Sequence, residues 1–188
     1  MVAQKNLCVI ILAAGKGTRM KSSLPKPLHS VCGLPMLAYS LQAAQQLNPD
    51  QICIVIGHGA SLLQEQVTTH LAAWGISAPV VFAEQKELNG SGGAVRAAAD
   101  ILHDFKQVMV LNGDVPLIEA ATLREMLVQF EAKRAGVSVL AMRVEDPTGY
   151  GRIVREADGS FAKIVEETET DAATAAINEV NGGMYVFV

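Results

Sequence analysis

The chain has 188 residues, half of them hydrophobic, and a formal net charge of −4 at pH 7. This length suits one domain, and the high apolar content with a modest net charge excludes an intrinsically disordered chain. The acidic balance and the absence of a Lys/Arg run argue against a nucleic-acid partner. Three cysteines without a CxxC pairing indicate no disulfide framework, so we expect a reduced, cytoplasmic compartment.

The first apolar run, residues 7–14, has two possible interpretations. It is too short to span a membrane, so we expect no membrane partner. With Lys5 before it and small residues after it, the run could be the centre of a signal peptide. A charged glycine loop follows instead of a cleavage region, which favours a buried strand over residues 7–12.

Further apolar runs of strand length recur along the chain. Runs that are apolar on both faces predict a buried, mostly parallel sheet. After residue 145 the pattern changes to short strands and turns without a clear helix. The predicted strands cover residues 7–12, 52–56, 80–83, 108–111 and 137–144, with shorter ones at Ile153, 161–165 and 184–188.

Helical periodicity occupies the segments between these strands. Ser61 with Gln64 three residues later predicts a capping box at one helix start, and Gly75 follows the end of that helix. Gly136 is expected to end a later helix. The predicted helices cover residues 36–47, 94–102 and 119–134, together with one that begins at Ser61.

The alternation of strands and helices predicts the class of fold. Strand, helix and strand at this spacing form βαβ units. We therefore predict an α/β fold with a Rossmann-like, doubly wound sheet that is mostly parallel but mixed. No linker or internal repeat interrupts the pattern, so we expect a single domain over residues 1–188.

Positive charge is concentrated near the amino terminus. Residues 1–49 contain five Lys or Arg residues and no Asp or Glu, and four of those cations lie between Lys16 and Lys26. Most charge clusters are solvated loops. Here Gly and Pro residues restrict the path of the loop, and no acidic partner is near in sequence. The pattern favours a loop that binds a compact polyanion such as a phosphate group.

Three segments fall at the carboxyl ends of predicted strands, where α/β sheets bind ligands. Residues 12–20 form a glycine loop whose backbone amides can approach an anion, although it lacks the ending of a P-loop. Asp114 follows the fourth strand, where a carboxylate can hold Mg²⁺ or cap a turn. The glycine-rich residues 90–93 open a helix and either expose amides to a ligand or form a tight turn.

A series of short motifs runs through the chain in order. Together they resemble the motifs of the sugar-phosphate nucleotidyltransferases, or nucleotide-sugar pyrophosphorylases. The Asp-Pro-Thr-Gly-Tyr-Gly-Arg-Ile stretch makes the chain most similar to the uridyltransferase half of the bacterial bifunctional N-acetylglucosamine-1-phosphate enzymes. The motifs are residues 12–20 followed by 24–26, then Gly57-His58-Gly59, Ala83-Glu84-Gln85, 113–117, 146–153, Ile164-Val165-Glu166 and Glu179-Val180-Asn181.

The resemblance implies a Mg²⁺-dependent transfer of a nucleotidyl group from UTP to a sugar 1-phosphate, with release of pyrophosphate. Arg19 and Lys26 would be the catalytic cations, Arg19 at the triphosphate and Lys26 at the reacting α-phosphate, and Asp114 would hold the metal. On their own, Glu166 and Asn181 are more typical of a surface acid and a strand-end cap. The substrate-binding residues implied are Leu12, Ala13, Ala14, Gly15, Gln85, Gly90 and Ser91, with Gly151, Glu166 and Asn181 for the sugar.

The sequence also departs from the family pattern near the predicted base-binding residues. Phe82 replaces a Gln, Gly93 replaces a His, and Asn112 replaces a Tyr, while three extra residues enter between Gln85 and Gly90. Because Phe82 cannot form paired hydrogen bonds, the nucleotide could also be CTP or dTTP.

The position of Val188 raises a further alternative. The family fold continues beyond this point and supplies a second metal ligand there, so we expect a C-terminally short domain. Because that second metal ligand is missing, the chain could also be a non-catalytic nucleotide-sugar-binding module.

Overall fold

The computed structural model describes residues 5–15, 17, 20–57, 60–87 and 89–188. Contacts between these residues divide the chain into two units. The first unit contains the described residues up to Ser138 together with Val186–Val188, and the second contains Val139–Tyr185.

The first unit is built on a parallel sheet with helices. None of the helices in the described ranges has the length and apolarity needed to cross a bilayer. Its strands are β1 (Lys5–Leu12), β2 (Ser30–Val31), β3 (Leu34–Pro35), β4 (Gln51–Gly57), β5 (Val80–Gln85) and β6 (Phe105–Asn112). Its helices are α1 (Met36–Gln45), α2 (Ser61–His70), α3 (Ser91–Ala97), α4 (Ala99–Leu102) and α5 (Ala120–Ala132).

Four strands of the first unit lie side by side in the order β5, β4, β1, β6, and every neighbouring pair is parallel. Leu12 at the end of β1 is level with Val55 of β4 and Asn112 of β6. The carboxyl ends of these strands therefore meet at one edge of the sheet. The predicted parallel sheet is confirmed for this unit.

The core of the first unit consists of the sheet and the helix stripes packed on it. Ile10 and Ile54 on neighbouring strands have no exposed surface, and neither do Leu41 of α1 and Leu123 of α5. The continuous apolar runs of β1 and β4 are needed because helices cover both faces of a parallel sheet. Leu41 and Leu123, which lie in two of the predicted helices, are therefore core residues.

Several predicted helix boundaries are wrong. Helix α1, predicted over 36–47, ends at Gln45. Ser61 is the first helical residue instead of the cap, because Ala60 occupies the cap position and its carbonyl accepts from Gln64 N at 3.1 Å, so no capping box forms. Helix α5 ends at Ala132, and the left-handed residue that follows is Arg134, with φ +48°, instead of Gly136.

The helix predicted over residues 94–102 is divided into two. Helix α3 ends at Ala97, and Ala98 between α3 and α4 has φ −97° and ψ 3°, outside the helical range. The amino end of α3 begins at Ser91, so the predicted start at residue 94 was three residues too late.

The second unit is largely antiparallel. Strand β8 pairs antiparallel with both β9 and β10, and β7 pairs with β10. The predicted change of pattern after residue 145 is confirmed, but β10 has nine residues where a short strand over 184–188 was predicted, and the short helix α6 was not predicted. Its elements are β7 (Val137–Arg143), β8 (Arg152–Arg155), β9 (Phe161–Val165), β10 (Glu179–Phe187), the short helix α6 (Ala172–Ala175) and a 3₁₀ turn (Glu167–Glu169).

A buried arginine joins three segments of the second unit. The Arg152 side chain is only 2% exposed, and its guanidinium donates to Glu167 Oε2 at 2.5 Å. It also donates to the Tyr150 carbonyl, and to the Ala175 carbonyl at 3.3 and 3.4 Å. The planar guanidinium can satisfy several acceptors from one position, which a lysine cannot do.

We expect Arg152→Ala to destabilise the protein by about 3 kcal/mol, since it removes a buried ion pair and leaves two carbonyls without their donor. Arg155 on the same strand is the matched control, because its side chain is 43% exposed where it pairs with Glu179. Arg155→Ala should cost less than about 1 kcal/mol. Urea unfolding followed by circular dichroism measures both changes, and equal losses would contradict the argument.

The Arg155–Glu179 pair predicts a dependence of stability on pH. A hydrogen bond from Arg155 lowers the pKa of Glu179 below its ordinary value of 4.5. Because the folded pKa lies below the unfolded one, the pair contributes stability above pH 4.5, and that contribution is lost as the pH falls through the folded pKa. We expect Glu179→Gln to reduce the loss of stability between pH 7 and pH 3, measured by urea unfolding at each pH. A loss of the same size as in the wild type would disprove this.

Candidate functional site

A cleft of about 340 Å³ lies in the first unit at the carboxyl ends of β1, β5 and β6. Its walls come from the loops that follow these strands and from the start of α3. Its lining residues are Leu12, Ala13, Ala14, Gly15, Gly17, Lys26, Pro27, Gln85, Gly90, Ser91, Ala94, Asn112 and Asp114.

Hydrogen bonds extend the sheet one step past the strand ends and fix the loops that line the cleft. Ala13 N donates to the Val55 carbonyl at 2.8 Å, and Gly113 N donates to the Leu12 carbonyl at 2.9 Å. The loops after β1 and β6 therefore begin side by side. This placement brings the glycine loop and the segment that carries Asp114 to the same end of the cleft.

The central contact of the cleft is an ion pair between these two segments. Lys26 Nζ lies 2.5 Å from Asp114 Oδ2, and the two side chains are 34% and 31% exposed. Lys26 is the first residue of a short 3₁₀ turn, Lys26–Leu28, which follows Pro25. The pair places one cation and one carboxylate, both accessible, at the point where the predicted phosphate loop and metal site meet.

Gly17 allows the loop to pass closely over Lys26. Its φ is +59°, and a Cβ at this position would lie 2.6 Å from Lys26 Cβ. A side chain there would be strained by the backbone and would collide with the lysine stem. The position of the ammonium therefore depends on this glycine.

Gln85 also lines the cleft. Its side chain is only 5% exposed, and its Nε2 donates to the Gly90 carbonyl and to Asn89 Oδ1, both at 3.1 Å. Ser91 begins α3, which has seven residues, and Gly90 before it has φ +92°. The predicted substrate-binding residues Gln85, Gly90 and Ser91 are therefore neighbours in the cleft wall.

The second unit brings together the three residues predicted to bind a sugar. Asn181 N donates to the Gly151 carbonyl at 2.8 Å, and a Cβ on Gly151 would lie 3.3 Å from each carboxylate oxygen of Glu166. The Asn181 side chain donates to the Tyr185 hydroxyl at 2.8 Å. The exposed carboxylate of Glu166 thus lies beside a glycine and an amide, a polar group suited to hydroxyl ligands.

Some predicted residues are not placed, and some lining residues were not predicted. Arg19, the second predicted catalytic cation, lies outside the described residues. Pro27 and Ala94 also line the cleft. No sequence signal distinguished them, because an apolar residue at the start of a loop or helix is as typical of the core as of a binding site. Asn112 was noted only as a departure from the family, yet it lines the cleft at the end of β6.

Other reactive groups of the described chain do not form a second site. The residues described contain no cluster of three or more His, Cys, Asp or Glu side chains that could hold a metal ion. Burial raises the pKa of the Cys8 thiol to about 12 and that of Cys53 to about 11. These two thiols are therefore protonated at neutral pH and serve as small core residues.

Comparison with solved structures shows the fold. A protein from Bacillus anthracis, described as a glucose-1-phosphate thymidylyltransferase and solved with sucrose, matches with a TM-score of 0.80 at 20% identity, covering 96% of this chain and 71% of that one. A UDP-glucose pyrophosphorylase solved with UDP-glucose matches with a TM-score of 0.78 at 19% identity, covering 97% and 76%. These matches confirm the predicted Rossmann-like α/β fold.

Comparison of sequences shows closer relatives. The bifunctional protein GlmU of Cupriavidus taiwanensis is 46% identical over 178 residues, which are 95% of this chain and 37% of that protein. GlmU of Thermobifida fusca is 43% identical over 192 residues, covering 100% of this chain and 38% of that protein. The chain thus spans little more than a third of the length of these relatives. The resemblance seen in the motifs is confirmed.

The family described as the MobA-like NTP transferase domain matches residues 9–176. The match includes the cleft residues of the first unit, and Gly151 and Glu166 of the second. It confirms the prediction of a nucleotidyltransferase enzyme domain. The chain therefore belongs to the MobA-like NTP transferase family.

Proposed function

We propose that the chain transfers a uridylyl group from UTP to N-acetylglucosamine 1-phosphate and releases pyrophosphate. The observation that carries the proposal is the contact of Lys26 with Asp114 in the cleft beside the glycine loop. The likeness to GlmU proteins over 95% of the chain supports the choice of substrates.

The chemistry of this transfer suits a cleft without a general base. A phosphate oxygen of the sugar 1-phosphate is already ionised, and it forms a new bond to the α-phosphorus of the nucleotide. The bond between the α-phosphorus and the bridging oxygen to the β-phosphorus breaks, and that oxygen leaves with pyrophosphate. Such a reaction depends on alignment of two anions and on positive charge around them. Lys26 supplies such a charge, and Arg19 is proposed as a second.

The residues of the cleft fit a divalent metal ion. Asp114 Oδ2 already holds a cationic group, the Lys26 ammonium, in an accessible position. Nucleotidyltransferases generally use a divalent metal, and we propose that Asp114 holds Mg²⁺. Magnesium is commonly bound by one or two carboxylates together with substrate phosphates and water, so a single protein carboxylate suffices. When bound, the metal would screen the repulsion between the two phosphate groups.

The neutral lining of the cleft suits the nucleoside. Ala14 and Gly15 line the cleft with small side chains or none, and Gln85 offers a buried carboxamide. In the second unit, Gly151, Glu166 and Asn181 are proposed to bind the sugar hydroxyls. The carboxylate of Glu166 can accept two hydrogen bonds from neighbouring hydroxyl groups, which is a common way of binding a sugar ring.

A specific observation keeps the identity of the base open to test. Phe82 on β5 has no hydrogen-bonding group, so CTP or dTTP is the alternative nucleotide. A module that binds a nucleotide sugar without turning it over is the alternative of another class. Pyrophosphate release with each nucleotide, sugar 1-phosphate and Mg²⁺ distinguishes these three cases.

The cytoplasmic compartment is part of the proposal. Cys8, Cys32 and Cys53 are all free, and Cys32 is exposed. An exposed free thiol is typical of a reducing compartment, and nucleoside triphosphates and sugar phosphates are cytoplasmic metabolites.

We expect Lys26→Ala to lower kcat about 100-fold or more, since a cation that stabilises the transition state is lost, and Asp114→Ala to abolish measurable pyrophosphate release. Chelation of divalent metal with EDTA should have the same effect as Asp114→Ala. Both substitutions should change the free energy of unfolding by less than about 1 kcal/mol, because the pair is partly exposed. Pyrophosphate release and urea unfolding measure these effects.

Lys106→Ala is the control, because Lys106 is an exposed lysine on β6 at the opposite end from Asp114. It should leave turnover unchanged. The proposed roles would be refuted by a Lys26 variant that keeps wild-type turnover, or by one whose activity is lost only because the protein unfolds.

Gly17→Ala should lower kcat about tenfold or more, because the new Cβ must displace Lys26. Gly33→Ala is the matched control: Gly33 also has a positive φ, +90°, but a Cβ there meets no atom within 4 Å. Both variants should lose stability of order 1 kcal/mol from backbone strain, which the control therefore accounts for. Turnover that falls equally in both would show that strain, and not displacement of Lys26, is the cause.

A further inference from the structure

Asn89 occupies space that a side chain at position 93 would otherwise fill. A Cβ on Gly93 would lie 1.6 Å from Asn89 Oδ1 and 2.5 Å from Asn89 Cγ. Two departures from the family pattern, the inserted residues after Gln85 and the glycine at 93, therefore belong together. The insertion supplies a carboxamide, and the glycine leaves room for it.

The hydrogen bonds of Gln85 fix the orientation of both carboxamides. The Gly90 carbonyl can only accept, so the Gln85 atom 3.1 Å from it must be the amide nitrogen Nε2. The same nitrogen lies 3.1 Å from the Asn89 side chain, which must then present its oxygen Oδ1. Gln85 is therefore not free to exchange its oxygen and nitrogen, and Asn89 directs its Nδ2 away from Gln85.

This arrangement leaves one acceptor and one donor for a ligand. Within the described ranges, Gln85 Oε1 and Asn89 Nδ2 have no hydrogen-bond partner. Gln85 lines the cleft, and Asn89 is exposed beside it. An adjacent acceptor and donor held by a shared hydrogen bond are complementary to the edge of a nucleobase that presents a donor beside an acceptor.

We propose that Asn89 is a second base-contacting residue, which with Gln85 selects uracil over cytosine. Gln85 Oε1 accepts from N3–H of uracil, and Asn89 Nδ2 donates to a neighbouring carbonyl oxygen of the base. In the same position cytosine presents an unprotonated N3 to Gln85 Oε1, so two acceptors face each other. Asn89 thereby provides the hydrogen bond that Phe82 cannot. This inference rests on the proposed function, because it assigns the base at that site.

The test compares Asn89→Ala with two glycine variants. We expect Asn89→Ala to lower kcat/KM for UTP about tenfold, the loss of about one hydrogen bond, and to change kcat/KM for CTP much less. Gly93→Ala should lower the UTP-to-CTP ratio in the same way, because its Cβ displaces Asn89. Gly92→Ala should keep the wild-type ratio, since a Cβ there meets no atom within 4 Å.

The double variant Asn89→Ala/Gly93→Ala makes the test sharper. If Gly93→Ala acts through Asn89, the double variant should have the same UTP-to-CTP ratio as Asn89→Ala alone. Melting temperatures of all variants check that the fold is intact. The proposal is overturned if Asn89→Ala lowers kcat/KM for both nucleotides equally, if it leaves the ratio unchanged, or if the wild type does not prefer UTP.

Direct binding separates this inference from the proposed function. Calorimetric titration of UTP and CTP into wild type and Asn89→Ala should show the same change of preference without any turnover. A wild type that binds UTP selectively and releases no pyrophosphate would refute the proposed transferase activity. The ratio of UTP to CTP affinity in wild type and Asn89→Ala would then decide the role of Asn89. A wild type that binds neither nucleotide would overturn both.

Discussion

The site depends on one ion pair between two segments that are 88 positions apart in the chain, Lys26 and Asp114. The parallel register of β1 and β6 makes this contact possible, because it brings the carboxyl ends of the two strands level. A pair that is about one third exposed adds little to stability. Its position is therefore better explained by chemistry that needs a cation and a carboxylate at one point than by a need to hold the fold together.

The same pair bears on how the cleft would hold the proposed metal. Asp114, which contacts Lys26, would supply the carboxylate for that metal. The bound metal would screen the repulsion between the phosphate groups, and the Lys26 ammonium would be available to them. On this proposal the transfer needs neither a proton acceptor nor a covalent intermediate.

Packing constraints decide where each polar group of the site lies. Gly17 lets the loop approach Lys26, and Gly93 lets Asn89 approach Gln85. In the second unit the buried Arg152 bonds to Glu167, the residue after Glu166, and directly follows Gly151. A single guanidinium thus binds the carbonyl of the residue before Gly151 and the side chain of the residue after Glu166. This constraint gives a physical reason for an arginine at this position of the motif.

The local pattern of residues in the sequence was sufficient to predict the parallel sheet and two of the segments that line the cleft. The apolar runs predicted the strands of the parallel sheet because burial on both faces demands them, whereas β10 begins at Glu179, five residues before the strand predicted over 184–188. The acid-free loop and Asp114 were found because parallel strands place their carboxyl ends together. Helix ends were predicted less well, since Ala60 and Arg134 took positions that Ser61 and Gly136 would fill on propensity alone. Tertiary structure alone decided that Lys26 meets Asp114 and that Asn89 fills the space over Gly93. These contacts depend on distances between segments, which the order of residues does not contain.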